Sequence, residues 1–407
     1  MKSQDRTGRW FALKRKSGSS ELVAIAVLSL SVSIFALLCY LFPLNHIPAP
    51  SGPFGVGFKT FEIVNSSPGL IEKMDLFDSD LIRLDIWYPA INTDESEMKP
   101  WIDDDPVFFN GFGMVTGYPS WLFEHLHLVK TNSFIDAAPL NQSSRWPVVI
   151  ILLGWSSISE LHTSLAEELA SNGYVVACIE HPGACTVVSF SNGETHYFLG
   201  NDLIERFSDF ERENMVSLIA SYLANDIDYA IDFLRMLTDD KYSEFYGRLD
   251  LENVSLYGHS GGGAVALEYA QRQRVNSIVL ADPTVDAFCV DNHSWAFETP
   301  LLLMRTAEWT SHMGETGIES LFRYSALPSF DLRIEEMRHV EFAMIRNLSP
   351  LTYFFGETGR FMNKRDSMKI LDRTVLMFLE TVNGSRSIDS LADFSEGIPE
   401  LDLRVLD

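Results

Sequence analysis

An α/β fold, with a mostly parallel sheet covered by helices on both faces and one transmembrane helix before it, is predicted by three observations. Short apolar runs at residues 148–153, 175–179, 254–257, 278–281 and 301–304 alternate with helical stretches, the pattern of a parallel sheet buried on both sides. One of these runs feeds the pentapeptide Gly258-His259-Ser260-Gly261-Gly262, after which residues 263–270 read as a small-residue helix. Far upstream, residues 22–42, beginning at Leu22 and ending at Phe42, are uncharged and overwhelmingly apolar. With 407 residues, 46% hydrophobic and 12% aromatic, the chain can bury one large core. No internal repeat is evident.

The apolar run comes first along the chain. At about 1.5 Å per residue it spans a hydrocarbon core of about 30 Å. Before it stand Lys2, Arg6, Arg9, Lys14, Arg15 and Lys16 against Asp5, with Glu21 at the border. This bias places residues 1–21 in the cytosol. The run exceeds the core of a cleaved signal, about 7–15 residues, and residues 43–50 offer no convincing small-x-small site. An uncleaved signal-anchor is therefore expected, with the remaining chain extracellular or lumenal; cleavage and secretion are the alternative.

Next, Trp121, Leu122, Phe123, Leu126, Leu128 and Val129 form an apolar stretch interrupted by Glu124, His125 and His127. It reads either as a helix packed on the sheet or as a surface that touches lipid. His125 and His127 make a poor zinc pair, because they fall on different faces of a helix and no third ligand is near. Residues 214–237 read as one sheet-covering helix.

The pentapeptide has the form of a nucleophile elbow, in which a serine sits on a strained turn between strand and helix. Glycines flank it where a Cβ would collide with neighbouring backbone. Free amides at the helix start can stabilise an oxyanion there. A serine hydroxyl needs a base and an orienting acid, which follow in the order acid then histidine in the hydrolase fold that uses this elbow. Of the later histidines, His293 lies beside Asn292 and His312 in a Ser/Gly-bearing stretch. His339 follows a strand-like segment at 330–334 and is the expected base. Asp282, Asp286 and Glu308 all follow strand ends and remain open as the acid.

From Ser51 to about Glu380 the chain resembles the plasma-type platelet-activating-factor acetylhydrolases, the lipoprotein-associated phospholipase A2 branch of the α/β-hydrolases. The matching stretches are Ser51-Gly52-Pro53-Phe54-Gly55-Val56-Gly57, Arg83-Leu84-Asp85-Ile86-Trp87-Tyr88-Pro89, Trp101-Ile102 and Trp146-Pro147-Val148-Val149. Further on come Leu169-Ala170-Ser171-Asn172-Gly173-Tyr174-Val175-Val176-Ala177, Glu180-His181 and the elbow. The resemblance implies Asp282 as the acid and His339 as the base. It leaves Glu308 outside the triad and makes the amides of Trp155 and Gly261 the oxyanion donors. It also implies lipid-surface contact by residues 121–129. Where the family usually has His-Gly before the oxyanion residue, this chain has Leu153-Gly154-Trp155.

The net charge is −25. Six cations against one acid in residues 1–20 leave the rest more acidic still, which excludes nucleic acid and broad adhesion to anionic lipid. Residues 43–60 are expected as a linker, 61–385 as the catalytic domain and 386–407 as a solvated acidic tail. Cys39 falls in the apolar span and Cys178 in a strand, leaving Cys185 and Cys289 as the plausible exposed pair. Sequons at Asn65, Asn141, Asn292, Asn347 and Asn383 suit a lumenal domain, while Asn253 abuts the elbow strand.

The expected function is a serine esterase acting on the sn-2 ester of platelet-activating-factor-like or oxidised short-acyl phospholipids, with no cofactor or metal. A general carboxylesterase or polyester hydrolase, and a silent binding protein of the same fold, are the alternatives.

Overall fold

The computed structural model describes residues 8–44, 47–64, 79–91, 93–141, 145–205, 207, 214–285, 298–323, 325–361 and 364–406, the side chains at 8–20, 94, 201, 312–317 and 364–365 aside. In chain order the strands are β1 (Gly55–Val64), β2 (Leu81–Ala90), β3 (Met98–Pro100), β4 (Lys130–Ile135), β5 (Trp146–Leu152) and β6 (Val175–Glu180). There follow β7 (Val187–Ser189), β8 (Thr195–Tyr197), β9 (Leu249–His259), β10 (Ser277–Ala281), β11 (Pro300–Thr306), β12 (Ala326–Ile334) and β13 (Leu401–Leu406). All but the β7/β8 hairpin join one sheet in the order β13-β12-β11-β10-β9-β5-β6-β2-β1-β4-β3.

Its centre, from β12 across to β6, is parallel throughout. Antiparallel strands extend it on both sides, β2 on β6 and β13 on β12. The centre is parallel because its strands are apolar on both faces: β6 and β10 are buried along their whole length. The period of two divides each strand between two cores. Val148, Ile150 and Leu152 of β5 pack on one side with helices Met215–Asp239 and Gly261–Ala270. Val149 and Ile151 pack on the other with helices Thr163–Ser171 and Lys364–Val382.

The chain passes from β5 to β6 on one side and comes back to β9 on the other. Strand order therefore reverses between β5 and β9, and a crevice opens at their carboxyl ends. This is an α/β-hydrolase architecture, preceded by a helix at Gly8–Leu41 whose segment Glu21–Leu41 is long and apolar enough to cross a membrane and is not buried.

Three expectations change. The carboxyl-terminal segment is not a solvated appendage: helix Asp389–Glu396 buries Leu391, and β13 pairs with β12 from Ser329↔Leu406 to Ile334↔Leu401. Alternating Leu401, Leu403 and Val405 supply its inward face, a pattern that the acidic residues around it mask in composition. Residues 120–128 form two 3-10 turns, Ser120–Leu122 and Glu124–Leu128, rather than one amphipathic helix. Cys185 is buried, not exposed; Cys289 lies outside the described residues, as do Asn65 and Asn292.

Several carboxyls are buried. Arg83 reaches Asp85, Glu160 and Glu180, and Lys99 approaches Glu160 at 3.7 Å. Burial pushes Glu180 up to about 8, so it keeps its proton at neutral pH, and burial raises Glu160 as well, although Lys99 and Arg83 oppose that shift. Burial likewise pushes Glu167 up to about 7, although Asn132 and Ser133 donate to it. Asp372, accepting from Ser164 at 2.5 Å, is pushed up to about 8 by burial.

These acids hold protons in the folded protein over a range, from about pH 4 to 8, in which the unfolded chain has already lost them. Folded-state protonation above the unfolded pKa means that stability declines as pH rises through this range. Urea midpoints are expected to be higher at pH 5 than at pH 8, and Asp372→Asn is expected to flatten that slope. A midpoint that rises from pH 5 to 8 contradicts the assignment.

Candidate active site

β9 ends at His259, and the next residue turns sharply. Ser260 has φ 52° and ψ −120°, a conformation that L residues avoid. The turn is possible because the flanking residues 258, 261 and 262 are glycines. A Cβ on Gly258 would come within 2.5 Å of the Gly262 carbonyl oxygen, and one on Gly262 within 2.1 Å of the Leu152 carbonyl oxygen. Helix Gly261–Ala270 starts directly behind the serine.

The His339 imidazole meets the serine. Its Nε2 lies 2.9 Å from Ser260 Oγ, and its Nδ1 lies 3.3 Å from Asp282 Oδ2. Asp282, the residue after β10, has φ 41° and is fully buried. Its carboxylate accepts from the Thr306 amide at 2.7 Å and the Thr306 hydroxyl at 2.8 Å, so its orientation is set from β11. Glu308 lies apart, exposed and paired with Arg338 at 3.4 Å. Asp286 and His293 lie outside the described residues, as does the side chain of His312.

The loop after β5 completes the crevice. The amides of Ser156 and Ser157 donate to Ala184 and Gly154 carbonyls, whereas those of Trp155 and Gly261 make no such loop bond among the described residues. The Trp155 indole covers Gly261 so closely that a Cβ there would come within 2.5 Å of its ring. These two residues thus occupy one volume.

Two neighbours escaped the sequence reading. His259 places Nε2 3.0 Å from the His339 carbonyl oxygen, which requires the proton on Nε2, and its ring lies 4.9 Å from that of His339. Burial holds His259 well below the ordinary histidine range, with the His339 ring adding to the effect, so it stays neutral. Thr306 was the other. Its place, two residues before Glu308, is the signal that a search for partners of Asp282 would have used.

The serine opens into a cavity of about 520 Å³ lined by Phe112, Leu122, Phe123, Trp155 and Phe355 among others. His125 and His127 take no part, their Nδ1 atoms facing the carbonyls of Leu122 and Glu124.

Residues 41–384 match the family model described as platelet-activating factor acetylhydrolase, isoform II. The chain belongs to that family. It is similar to a platelet-activating factor acetylhydrolase of Cavia porcellus, 23% identical over 89% of this chain and 84% of the relative. It is similar also to that of Gallus gallus, 19% identical over 87% of each. Among solved structures, a ferulic acid esterase from Streptomyces cinnamoneus superposes with a TM-score of 0.68 at 20% identity, over 89% of this chain and 100% of the esterase, a likeness of fold. Family and fold together make this chain a phospholipid or ester hydrolase.

Because Gly261 and Trp155 share one volume, Gly261→Ala is expected to destabilise the protein and Trp155→Ala to restore much of the loss. The coupling is expected at about 0.5–3 kcal/mol in a double-mutant cycle read by urea unfolding. Additive effects would show that the indole yields without cost.

Proposed function

We propose that the chain is a serine esterase that hydrolyses the sn-2 ester of platelet-activating-factor-like or oxidised short-acyl phospholipids. The observation that carries the proposal is the run of contacts from Asp282 through His339 to Ser260, at the floor of an apolar cavity in a chain of this family. Ser260 Oγ attacks the ester carbonyl while His339 Nε2 takes its proton. The amides of Trp155 and Gly261 hold the oxyanion, and His339 then protonates the leaving alkoxide. Water, deprotonated by the same imidazole, releases the acyl group from the serine. Asp282 keeps the His339 proton on Nδ1 and stabilises the imidazolium.

The cavity lining contains no lysine or arginine among the described residues, so phosphate finds no cationic partner there. This favours loose head-group selection, and a carboxylesterase acting on simpler esters is the second reading. The helix at Gly8–Leu41 serves in this proposal as a signal-anchor, its basic flank cytosolic and the hydrolase domain extracellular or lumenal.

Ser260→Ala is expected to abolish fluorophosphonate labelling and to lower ester turnover by several orders of magnitude without unfolding. Asp282→Asn is expected to lower turnover by about 10⁴, and Glu308→Gln far less. Near-normal turnover by folded Ser260→Ala, or the reverse ranking of the acids, would dismantle the assignment. EDTA is expected to leave activity intact.

The Trp155 indole narrows the acyl side of the cavity, so Trp155→Ala is expected to relax a short-chain preference by about 1–3 kcal/mol. The measurement is kcat/KM for acetyl against long-acyl phospholipids. Unchanged profiles remove Trp155 from chain-length selection.

A further inference from the structure

The amino-terminal helix does not end away from the hydrolase domain. Its last turn is held against the cavity mouth: the Leu41 carbonyl, one of the acceptors a helix terminus leaves free, accepts from the Ser349 hydroxyl at 2.7 Å. Phe42 lies 6.5 Å from the Trp121 ring and 5.2 Å from the His125 ring, and it lines the same cavity as Ser260 and His339. Around this point the surface is apolar and aromatic. Trp121 is 60% exposed, Phe354 69% and Phe355 56%, with Tyr118 and Tyr353 beside them.

We propose that the end of the amino-terminal helix is a working wall of the site and seats the cavity mouth on the bilayer that holds the helix. Substrate then enters sideways from that same membrane. The inference rests on the ester-hydrolase reading above.

Continuity argues for lipid as the occupant of the aromatic collar. A segment of 21 residues covers about 30 Å, so its end at Leu41 lies at the edge of the hydrocarbon core. Tyrosine and tryptophan settle at that depth, and the ester groups of a phospholipid lie there too. The acidic body has no broad attraction to anionic lipid, so the contact that seats it must be apolar and local. A collar placed around the emergence point of the helix meets that need without a second protein.

The test uses the full chain reconstituted into phosphatidylcholine vesicles. A fluorogenic short-acyl phospholipid, given a very long sn-1 chain to suppress exchange, is placed either in the same vesicles or in separate ones, and p-nitrophenyl acetate serves as the soluble ester. Initial rates are expected to be at least about tenfold higher in the same vesicles. Inserting a flexible glycine-serine linker after Pro43, or Phe354→Asp, is expected to lower the ratio of same-vesicle to soluble-ester rate by about tenfold. Equal rates in the two vesicle arrangements, or a ratio untouched by both changes, with p-nitrophenyl acetate still cleaved, overturn the inference and leave the esterase standing. Failure of the unmodified chain to cleave p-nitrophenyl acetate or the phospholipid overturns the esterase reading and this inference with it.

Discussion

The site depends on one constraint, the strained backbone of Ser260. Its φ of 52° is tolerated because β5 and β9 and the following helix close around glycines that leave no room for a side chain. Strain of this kind costs about 1–3 kcal/mol and persists only where the surroundings determine the conformation from several directions. Here they do so through backbone: the Ser260 amide donates to the Ala281 carbonyl, and its carbonyl accepts from Gly263 and Thr284. The serine is thereby fixed to β10, the strand that Asp282 directly follows. Ser260 and Asp282 are held by the same strand end, and His339 lies between them.

A second layer ties together stretches that lie far apart along the chain. Arg83 and Asp85 of β2 meet Glu180 of β6 and Glu160 in one buried cluster, with the Ser159 hydroxyl donating to Asp85 at 2.5 Å. Trp101 donates its indole N–H to the Glu160 carbonyl at 2.7 Å. A Cβ on Gly52 would come within 2.1 Å of the Ser171 carbonyl oxygen, and one on Gly57 within 2.3 Å of the Tyr88 ring. Removing one charged member from such a cluster strands the others in a low dielectric, so the loss of any one is costly. These residues are scaffold, far in role from the serine they support.

Periodicity and local motif made the centre of the fold legible. Residues 254–257 read as a strand because Val254, Leu256 and Tyr257 precede a glycine turn, and the observed β9 extends this run at both ends, upstream across an irregularity in its pairing with β5 to the buried Leu249. Ser260 and His339 were visible for the same reason, each bound to a chemical requirement and a strand end. Asp282 was not separable from Asp286 and Glu308 by sequence, since all three come after strand-like runs; in the structure Asp282 faces His339 and is held by the Thr306 pair of donors across 24 positions, whereas Glu308 lies apart. β13 escaped because charge composition says little about an edge strand that needs only one apolar face.

Exchange of volume across a contact is the remaining lesson. In the proposed mechanism the loop Leu153-Gly154-Trp155, which departs from the pattern that the resemblance implies, still supplies its amide beside the elbow, because an oxyanion hole asks for backbone and not for a particular side chain. What the departure changes is the wall. An indole at 155 fits only because residue 261 is glycine, and a side chain at 261 would need a smaller residue at 155. Under the same proposal the departure and the glycine act as one unit, placed where an acyl group would lie against the serine. In that proposal, substrate choice is a property of the packed pair, which neither residue carries alone.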